Sequence, residues 1–379
     1  MNFELSESQR MIQEMARNFA EKEMKPHVMK YDESQEFPAE IFRKMAGLGL
    51  LGIVIPEQLG GAGLSYLDLV LILEELAKVD PSIALSVGAH NGLCINHIYS
   101  FGNEQQKQKY VSDLARGKKL GAWALTEQSS GSDAGAMQSF AVPQDDGWIL
   151  NGGKVFITLG SVADIYVVMA LTDKAKGKNG ISAFILEKGM EGLSVGKKEN
   201  KLGMRASDTA SIIFDNVRIP GENLIGEDCQ GFKQALDVLD GGRIGIAAQS
   251  LGIAQACLEA SVKYAKERQQ FGKTLSRFQA IQWKVADMAV DIDAARLLTF
   301  KAASLKQQGK DVTLAASIAK YFTSEIAVKA ANEAVQIHGG YGYIKEFPVE
   351  KFYRDVKLMT IGEGTSEVQK MVIARIILR

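Results

Sequence analysis

The spacing of apolar residues divides the chain into three regions, and the first is helical. From Ser6 to about Arg116 the apolar positions recur at intervals of three and four residues, which is the period of an amphipathic helix. Ser6 stands where a side-chain cap would open the first helix. Glycine-rich breaks interrupt the pattern at residues 60–63 and around Gly88. We therefore predict an all-helical N-terminal domain.

Beyond Leu120 the helical pattern gives way to short runs rich in β-branched and aromatic residues. Glycine, aspartate and asparagine turns separate these runs, and no helical stretch lies between them. The runs are residues 148–150, 154–157, 165–168, 181–185 and 211–214. Short strands without crossover helices favour an antiparallel barrel or sandwich over a parallel sheet. The middle of the chain is predicted to be all-β.

After Gly231 helical periodicity returns in longer segments. Apolar and small residues form one seam through 281–305 and a second through 315–337, and a turn containing Gly309 joins the two. This is the pattern of a helical bundle. The prediction is an α+β multidomain protein with an N-terminal helical domain, a middle β-domain and a C-terminal helical bundle domain, at residues 1–120, 121–229 and 230–379.

Composition excludes several classes of protein. The 379 residues are 46% hydrophobic and 23% charged, and 44 Lys and Arg balance 45 Asp and Glu, so no net field favours nucleic acid or an anionic membrane. We expect no export and no membrane insertion, because no apolar stretch approaches about 20 residues. Cys94, Cys229 and Cys257 are widely spaced, which argues against a disulfide framework or a zinc site and fits a cytoplasmic protein.

Two apparent signals have ordinary structural explanations. Residues 47–52 match the dinucleotide fingerprint GxGxxG, but a predicted helix precedes them where the motif needs a strand. NAD binding through a Rossmann unit is therefore rejected. The histidines are scattered, and even His90 and His97 would lie about 10 Å apart along a helix, too far to share a metal ion. No metal site is expected.

Two polar segments stay ambiguous when only their residues are considered. Residues 125–133 cluster hydroxyls and a glycine where the helices give way to strands, so they could donate to a polar ring or a phosphate, or form a solvated linker. Arg268, within 267–272, could hold a phosphate, although an arginine at a helix C-terminus also interacts favourably with the helix dipole. Neither segment decides the function.

Glu363 is the strongest candidate for chemistry. It lies between two glycines, immediately before a helix that Thr365 or Ser366 could cap. The glycines allow a sharp turn and the close approach of a ligand. A capping box would account for Glu367 but leaves Glu363 unexplained.

Taken together, these segments resemble the acyl-CoA dehydrogenase family over nearly the whole chain. The matching pieces stand in family order at residues 55–57 with 60–61, 125–133, 156–158, 202–205, 268–272, 336–343 and 362–367. The resemblance implies the acyl-CoA dehydrogenase fold, with a C-terminal four-helix bundle, and FAD between the middle domain and that bundle. It also implies a homotetramer, built as a dimer of dimers, that passes electrons to electron-transferring flavoprotein.

The family's site residues carry over to matching positions. Those expected around the isoalloxazine ring are Trp123, Leu125, Thr126, Phe156 and Thr158, with Ser132 contacting both flavin and substrate. Those expected to complete the adenine-diphosphate half of a neighbouring subunit's site are Arg268, Phe271, Gln279, Gln336, Gly339 and Gly340. Those expected to touch FAD after the base are Thr365 and Glu367, and those expected at the acyl-CoA are Asp240, Arg243 and Gly364.

The resemblance implies α,β-dehydrogenation of an acyl-CoA to the trans-2-enoyl-CoA. Glu363 would take the α-proton and flavin N5 would accept the β-hydride, from opposite sides of the acyl chain. The Glu363 backbone N–H and a ribityl hydroxyl would polarise the thioester carbonyl. Burial beside the acyl chain and flavin should raise the pKa of the Glu363 carboxyl toward that needed by a base.

Two departures bear on the branch of the family. The isovaleryl-CoA branch carries its base at the position of Gly242 and has no acid at the position of Glu363, whereas this chain has the opposite arrangement. Many straight-chain members have tyrosine before the base. Gly362 stands there in this chain, as in the isovaleryl branch, which residues 90–96 also nearly follow. A pocket for short or branched acyl groups is expected.

Other functions on the same fold stay open from the sequence. One is an acyl-CoA oxidase-like enzyme, in which reduced flavin meets oxygen. Another is a non-catalytic flavin-binding or DNA-associated member, which the charge balance and the intact Glu363 disfavour. Neither the chain length of the substrate nor the direction of the reaction, dehydrogenation or enoyl reduction, follows from these residues.

Overall fold

The computed structural model describes residues 4–379, and its N-terminal region is helical as predicted. The Ser6 hydroxyl accepts a hydrogen bond from the backbone N–H of Gln9, and the Gln9 side chain accepts one from the backbone N–H of Ser6, so the predicted helix start is confirmed. Residues 47–52 form a helix end and a turn, and no strand precedes them. The helices are α1 (Glu7–Phe19), α2 (Val28–Ser34), α3 (Ala39–Gly47), α4 (Tyr66–Val79), α5 (Pro81–Ala89), α6 (Asn96–Phe101), α7 (Glu104–Gln106) and α8 (Ser112–Ala115).

The middle region is one mixed, largely antiparallel sheet. Its strands are β1 (Gly121–Ala124), β2 (Phe140–Gln144), β3 (Gly147–Thr158), β4 (Ile165–Leu171), β5 (Ile181–Glu187), β6 (Leu193–Lys198) and β7 (Thr209–Pro220). They are ordered β1-β4-β2-β3-β7-β6, with β5 also paired to β4. Two predicted runs, 148–150 and 154–157, belong to the single strand β3, whose register shifts on both sides of Gly152 and so hides its continuity in the sequence.

The prediction of a wholly antiparallel middle domain was too narrow. β1 runs parallel to β4, from the Gly121–Ile165 pair to the Ala124–Val168 pair, and β2 adds one parallel pair with β4. A parallel pair needs a long connection between its strands, which is commonly a helix. Here the β2–β3 hairpin lies within that connection. The absence of a crossover helix therefore did not exclude parallel pairing.

The C-terminal region contains the longest helices. Its elements are α9 (Gly231–Glu267), the hairpin β8 (Gln269–Gln270) and β9 (Lys273–Thr274), α10 (Gln279–Gln307), α11 (Thr313–His338), α12 (Val349–Val356) and α13 (Ser366–Ile377). α11 packs against α9, α10 and α13, and the predicted turn between α10 and α11 contains Gly309 at φ +66°. No helix in residues 4–379, the long α9 included, is apolar over enough length to cross a membrane.

A buried ion-pair cluster joins the three regions. Lys351 on α12 donates to Asp80, which caps α5, at 2.9 Å and to Asp355 at 2.6 Å. Asp355 also accepts the backbone N–H of Met204 from the middle region at 2.5 Å. The segment 202–205, one of the matched pieces, therefore lies where all three regions meet, and the cluster fixes the sheet against both sets of helices.

Candidate active site

Glu363 occupies a strained turn immediately before α13. Its φ is +53° and that of Gly364 is +94°, so two successive residues adopt the left-handed region. A non-glycine residue there costs on the order of 1 kcal/mol or more and is found where the surroundings hold it, often at functional sites. Thr365 caps α13 by accepting the backbone N–H of Val368, which confirms one of the two predicted caps. The surrounding structure therefore holds the turn in one conformation.

A missing side chain on α9 makes room for the Glu363 carboxylate. A Cβ added at Gly242 would lie 1.9 Å from Oε2 and 2.8 Å from Cδ of Glu363. Any larger residue at position 242 is thus incompatible with the present position of the carboxylate. The sequence placed the base at one of these two positions and not the other, and the structure supplies a steric reason for that choice.

Glu363 is half-buried as a residue, and its carboxylate is incompletely hydrogen-bonded. Oε2 of Glu363 has no hydrogen-bond partner and is shielded from solvent. Burial raises the pKa of Glu363 to about 7, as expected from the sequence, although Lys320 and Arg243 oppose the shift. Burying an acceptor without a donor costs free energy, so binding a proton or a hydrogen-bonding ligand at this oxygen would be favourable. A pKa near neutrality suits a general base.

Asp240 and Arg243 form a buried ion pair on the same helix. Nη1 of Arg243 donates to Asp240 at 2.5 Å, and the hydroxyl of Thr313 donates to the other carboxylate oxygen at 2.6 Å. Burial raises the pKa of Asp240 and lowers that of Arg243. Nε of Arg243 has no partner. The pair brings a second cation close to Glu363, and the expected contact of these residues with coenzyme A stays a prediction.

A buried lysine joins two of the segments expected around the flavin. Nζ of Lys154 donates to the carbonyl of Leu125 at 2.9 Å and to Glu127 at 2.8 Å, and Val155 N–H donates to the Thr126 carbonyl at 2.9 Å. Burial lowers the pKa of Lys154 to about 8. Burial alone would raise the pKa of Glu127, but Lys154 and two backbone N–H groups hold it below its ordinary value. Sequence reasoning did not identify this pair.

The side chains at this junction differ in exposure. The Leu125 side chain lies in the core, so its backbone is the part available to a ligand. Phe156 has φ +58° and is 65% exposed, whereas Thr126 and Thr158 are half-buried. Ser132 is exposed on the loop that follows. An exposed aromatic ring next to backbone and hydroxyl groups fits a flat, hydrogen-bonding ring system such as isoalloxazine.

A buried histidine orients Trp123. The indole N–H donates to Nδ1 of His97 at 2.9 Å, and Nε2 of His97 bonds to Gln234 at 3.0 Å. Burial lowers the pKa of His97 to about 4, so the ring is neutral and Nδ1 accepts. His97 is a buried core residue. Its role in holding Trp123 was not foreseen.

The residues expected at the adenine-diphosphate half lie on a separate face. Arg268, Gly339 and Gly340 line a cleft of about 510 Å³, and the Arg268 guanidinium lies over the Tyr341 ring at 5.4 Å. The other three residues expected there, all exposed, are Phe271, Gln279 and Gln336. In the described part of the chain no hydrogen bond or ion pair joins this group to the Glu363 turn. If these residues belong to the site of a neighbouring subunit, they are expected to lie apart from the Glu363 turn of their own chain.

Two further residues at the turn were missed. Lys320 donates to the Gly364 carbonyl at 2.7 Å, and the Gln369 amide donates to the carbonyls of Glu363 and Gly364 at 3.2 and 3.1 Å. A signal for Lys320 exists in the sequence, because it is the only charged residue on a face of α11 that otherwise carries small residues. Those small neighbours are Ala316, Ser317, Thr323, Ser324 and Ala327.

Comparison with known proteins agrees with this arrangement. Family models described as the N-terminal, middle and C-terminal domains of acyl-CoA dehydrogenase match residues 6–118, 122–217 and 229–378. A short-chain specific acyl-CoA dehydrogenase of Clostridium acetobutylicum is 48% identical over all of both chains. These matches confirm both the suspected family and the order of its helical and β regions.

Two solved structures are similar over the full length of both chains. Butyryl-CoA dehydrogenase from Megasphaera elsdenii superposes with a TM-score of 0.98 at 47% identity. A structure reported for the electron transferring flavoprotein of Acidaminococcus fermentans, in a study of flavin-based electron bifurcation, superposes with a TM-score of 0.99 at 50% identity. The chain belongs to the acyl-CoA dehydrogenase family of FAD-dependent oxidoreductases.

Proposed function

We propose that this protein catalyses α,β-dehydrogenation of a short or branched acyl-CoA to the trans-2-enoyl-CoA, with Glu363 as the base. The observation that carries the proposal is the Glu363 carboxylate itself. Its Oε2 is buried without a partner in the space left by Gly242, and its pKa is about 7. Similarity to the short-chain specific relative and to butyryl-CoA dehydrogenase supports the same reaction.

FAD, when bound, supplies the hydride acceptor. We propose that its ring system is held by the junction that Lys154 joins, with Ser132 beside it. The ring contacts would come from Trp123, the Leu125 backbone, Thr126, Phe156 and Thr158, with Thr365 and Glu367 at the Glu363 turn. Arg268, Phe271, Gln279, Gln336, Gly339 and Gly340 would bind the adenine-diphosphate half belonging to a neighbouring subunit.

The chain's own part in the reaction is a proton transfer and the stabilisation of charge. Glu363 accepts the α-proton, and the thioester carbonyl needs donors because that proton is only weakly acidic. Within residues 4–379 the backbone N–H of Glu363 donates to no acceptor, so it is available to the carbonyl. We expect Gly364 to lie beside the thioester. Asp240 and Arg243 would contact the coenzyme A moiety near the same helix.

The packing beyond Glu363 supports a small acyl group. Gly242, Gly245 and Gln249 share one face of α9. The Gln249 amide lies 2.6 Å from where a Cβ at Gly88 would be, and a Leu73 methyl lies 3.6 Å from the corresponding position at Gly245. These side chains fill the space between α5 and α9 within about 10 Å of Gly242 along the helix. Long acyl chains would have to displace them.

The glycine at position 362 widens the proposed acyl pocket near Glu363. A Cβ at Gly362 would lie no closer than 3.5 Å to any neighbour, so the first carbon of a side chain would fit there without a clash. We expect butyryl-CoA and isobutyryl-CoA to be turned over faster than octanoyl-CoA. Octanoyl-CoA turnover far above both would contradict this assignment. Gly362→Tyr should lower isobutyryl-CoA turnover more than butyryl-CoA turnover.

The partner and assembly are proposed on separate grounds. Similarity to the structure reported for an electron transferring flavoprotein supports such a flavoprotein as electron acceptor. An exposed apolar stripe on α10, formed by Trp283, Val290 and Leu297 at seven-residue spacing, supports a homotetramer assembled through the bundle. The three unpaired cysteines support a cytoplasmic location. Light scattering on the purified protein tests the tetramer.

Anaerobic bleaching of the bound flavin by a panel of acyl-CoAs tests the reaction. Wild type should be bleached by butyryl-CoA, and Glu363→Gln should lose this bleaching while keeping its FAD. Glu104→Gln, which alters a carboxylate that is 82% exposed, is the matched control and should behave as wild type. Unchanged bleaching in Glu363→Gln would remove the catalytic assignment. Rapid oxygen consumption during turnover would favour an oxidase.

A further inference from the structure

Two buried side chains converge on the backbone of the Glu363 turn from the bundle side. Lys320 on α11 and Gln369 on α13 are both fully buried. Lys320 binds the Gly364 carbonyl at 2.7 Å, and Gln369 binds the carbonyls of Glu363 and Gly364 at 3.2 and 3.1 Å. We propose that Lys320 and Gln369 are positioning residues for the reaction, which hold the turn and, through Lys320, set the charge of Glu363.

The clamp explains how a strained turn persists. Glu363 and Gly364 both have positive φ, and such conformations last only where the surroundings over-determine them. Three donor contacts from two rigid helices fix the two carbonyls. Because C=O and N–H point in opposite directions across a planar trans peptide, fixing the carbonyls of Glu363 and Gly364 directs the N–H groups of Gly364 and Thr365 away from Lys320 and Gln369. The N–H of Glu363 belongs to the preceding peptide, which the clamp holds only through the Glu363 backbone, and it has no acceptor in residues 4–379, so it is free to bind a thioester carbonyl.

Lys320 contributes a charge as well as a hydrogen bond. Its ammonium makes one hydrogen bond, to a neutral carbonyl, and a buried cation needs a counter-ion. Burial lowers the pKa of Lys320 to about 8, and Glu363 is the strongest of the acids that oppose this. In return, Lys320 is the main group that opposes the raised pKa of Glu363. Gln369 is neutral and can act only through the backbone.

Other charged groups around the turn do not duplicate Lys320. From α9, Arg243 opposes the Glu363 shift less, and its charge is paired with Asp240 at 2.5 Å. From α11, Glu325 accepts the Ser366 hydroxyl at 2.5 Å, and from α13, Glu367 is exposed. Removing Lys320 therefore leaves the Glu363 carboxylate with a weaker stabilising charge, whereas removing Gln369 leaves its electrostatics intact.

The proposal rests on Glu363 being the base. Variants of the FAD-loaded enzyme separate the effect of Lys320 on the charge of Glu363 from the effect of both residues on the turn's backbone. Flavin reduction by butyryl-CoA is followed by stopped flow across pH. Lys320→Met should lower the maximal rate with a smaller change in KM, and move the pH midpoint upward by about one unit. Lys320→Gln keeps a donor, so the midpoint should move similarly with a smaller loss of rate. Gln369→Leu should lower the rate about tenfold and leave the midpoint in place.

Two further measurements guard against a merely structural effect. Infrared difference spectra of the Glu363 carboxyl across pH report its protonation without turnover, and should show the same upward shift in both Lys320 variants. Lys329→Met, on the same helix but with a 53% exposed side chain, should change neither rate nor midpoint. FAD content and thermal unfolding are compared for every variant, so that rates refer to folded, loaded protein.

The outcomes distinguish this proposal from the assignment of the base. If Glu363→Gln is reduced like wild type, the proposed function fails and the positioning role fails with it. If Glu363→Gln is inactive but both Lys320 variants keep the wild-type midpoint and infrared titration, only the positioning role is overturned. Should neither Lys320 variant fold, an unchanged rate in Gln369→Leu overturns the clamp.

Discussion

Gly242→Ala should disable the enzyme by moving Glu363, although it adds only one methyl group. The new Cβ would lie 1.9 Å from Oε2 of Glu363 and 2.9 Å from a methyl of Leu93. Restoring an ordinary carbon–oxygen separation of about 3.3 Å requires the carboxylate to retreat by about 1.4 Å. A displacement near 1 Å at a reacting group costs on the order of 100-fold in rate, or roughly 2.7 kcal/mol of barrier.

Stopped-flow bleaching of the flavin by butyryl-CoA measures this loss directly, and a second glycine on α9 supplies the control. A Cβ at Gly252 would lie 2.3 Å from the Glu74 carbonyl oxygen, so Gly252→Ala also overpacks the helix. Gly252 lies about 15 Å along the helix from Gly242. Both variants should unfold at a lower temperature, because overpacking lowers the free energy of unfolding by roughly 1–3 kcal/mol. Only Gly242→Ala should reduce the flavin more slowly.

A Gly242→Ala enzyme that keeps its FAD and reduces it within about threefold of wild type would refute the reasoning. That result would mean either that the carboxylate adjusts without cost or that Glu363 does not act from its observed position. Equal rate losses in both glycine variants would point instead to general destabilisation. Only a rate loss specific to position 242 supports the placement of the base.

Three other predictions follow from buried charges. Because Glu363 acts as a carboxylate, the rate of flavin reduction should rise as pH increases through about 7 and level off above it, and a pH-independent rate would contradict a titrating base. Lys154→Met leaves Glu127 buried without its cation, and should cost roughly 3–5 kcal/mol in denaturant unfolding and weaken FAD retention. Lys351→Met leaves Asp355 without its cation where the three regions meet, and should lower the free energy of unfolding by a similar amount. Loss of a single cooperative unfolding transition would be the diagnostic result.

The sequence by itself determined the order of the regions and the location of the candidate base. Helical spacing predicted α10 and α11, and the break between them at Gly309, because the period and the turn residue are local properties. The glycines around Glu363 and the cap at Thr365 likewise act over a few residues. Ordered motif matches then gave the family. The β3 strand was split in two because a shifted register interrupts the local pattern.

Only the tertiary structure decided what surrounds the base. The room for Glu363 comes from Gly242 on another helix, and its backbone clamp includes Lys320, whose partner Gly364 is 44 residues away. Parallel pairing of β1 with β4 and the contact of Lys154 with Leu125 also join distant segments. Local periodicity specifies which face of an element is buried but not which residue it meets. The reactive state of Glu363 therefore depends on packing that no single segment encodes.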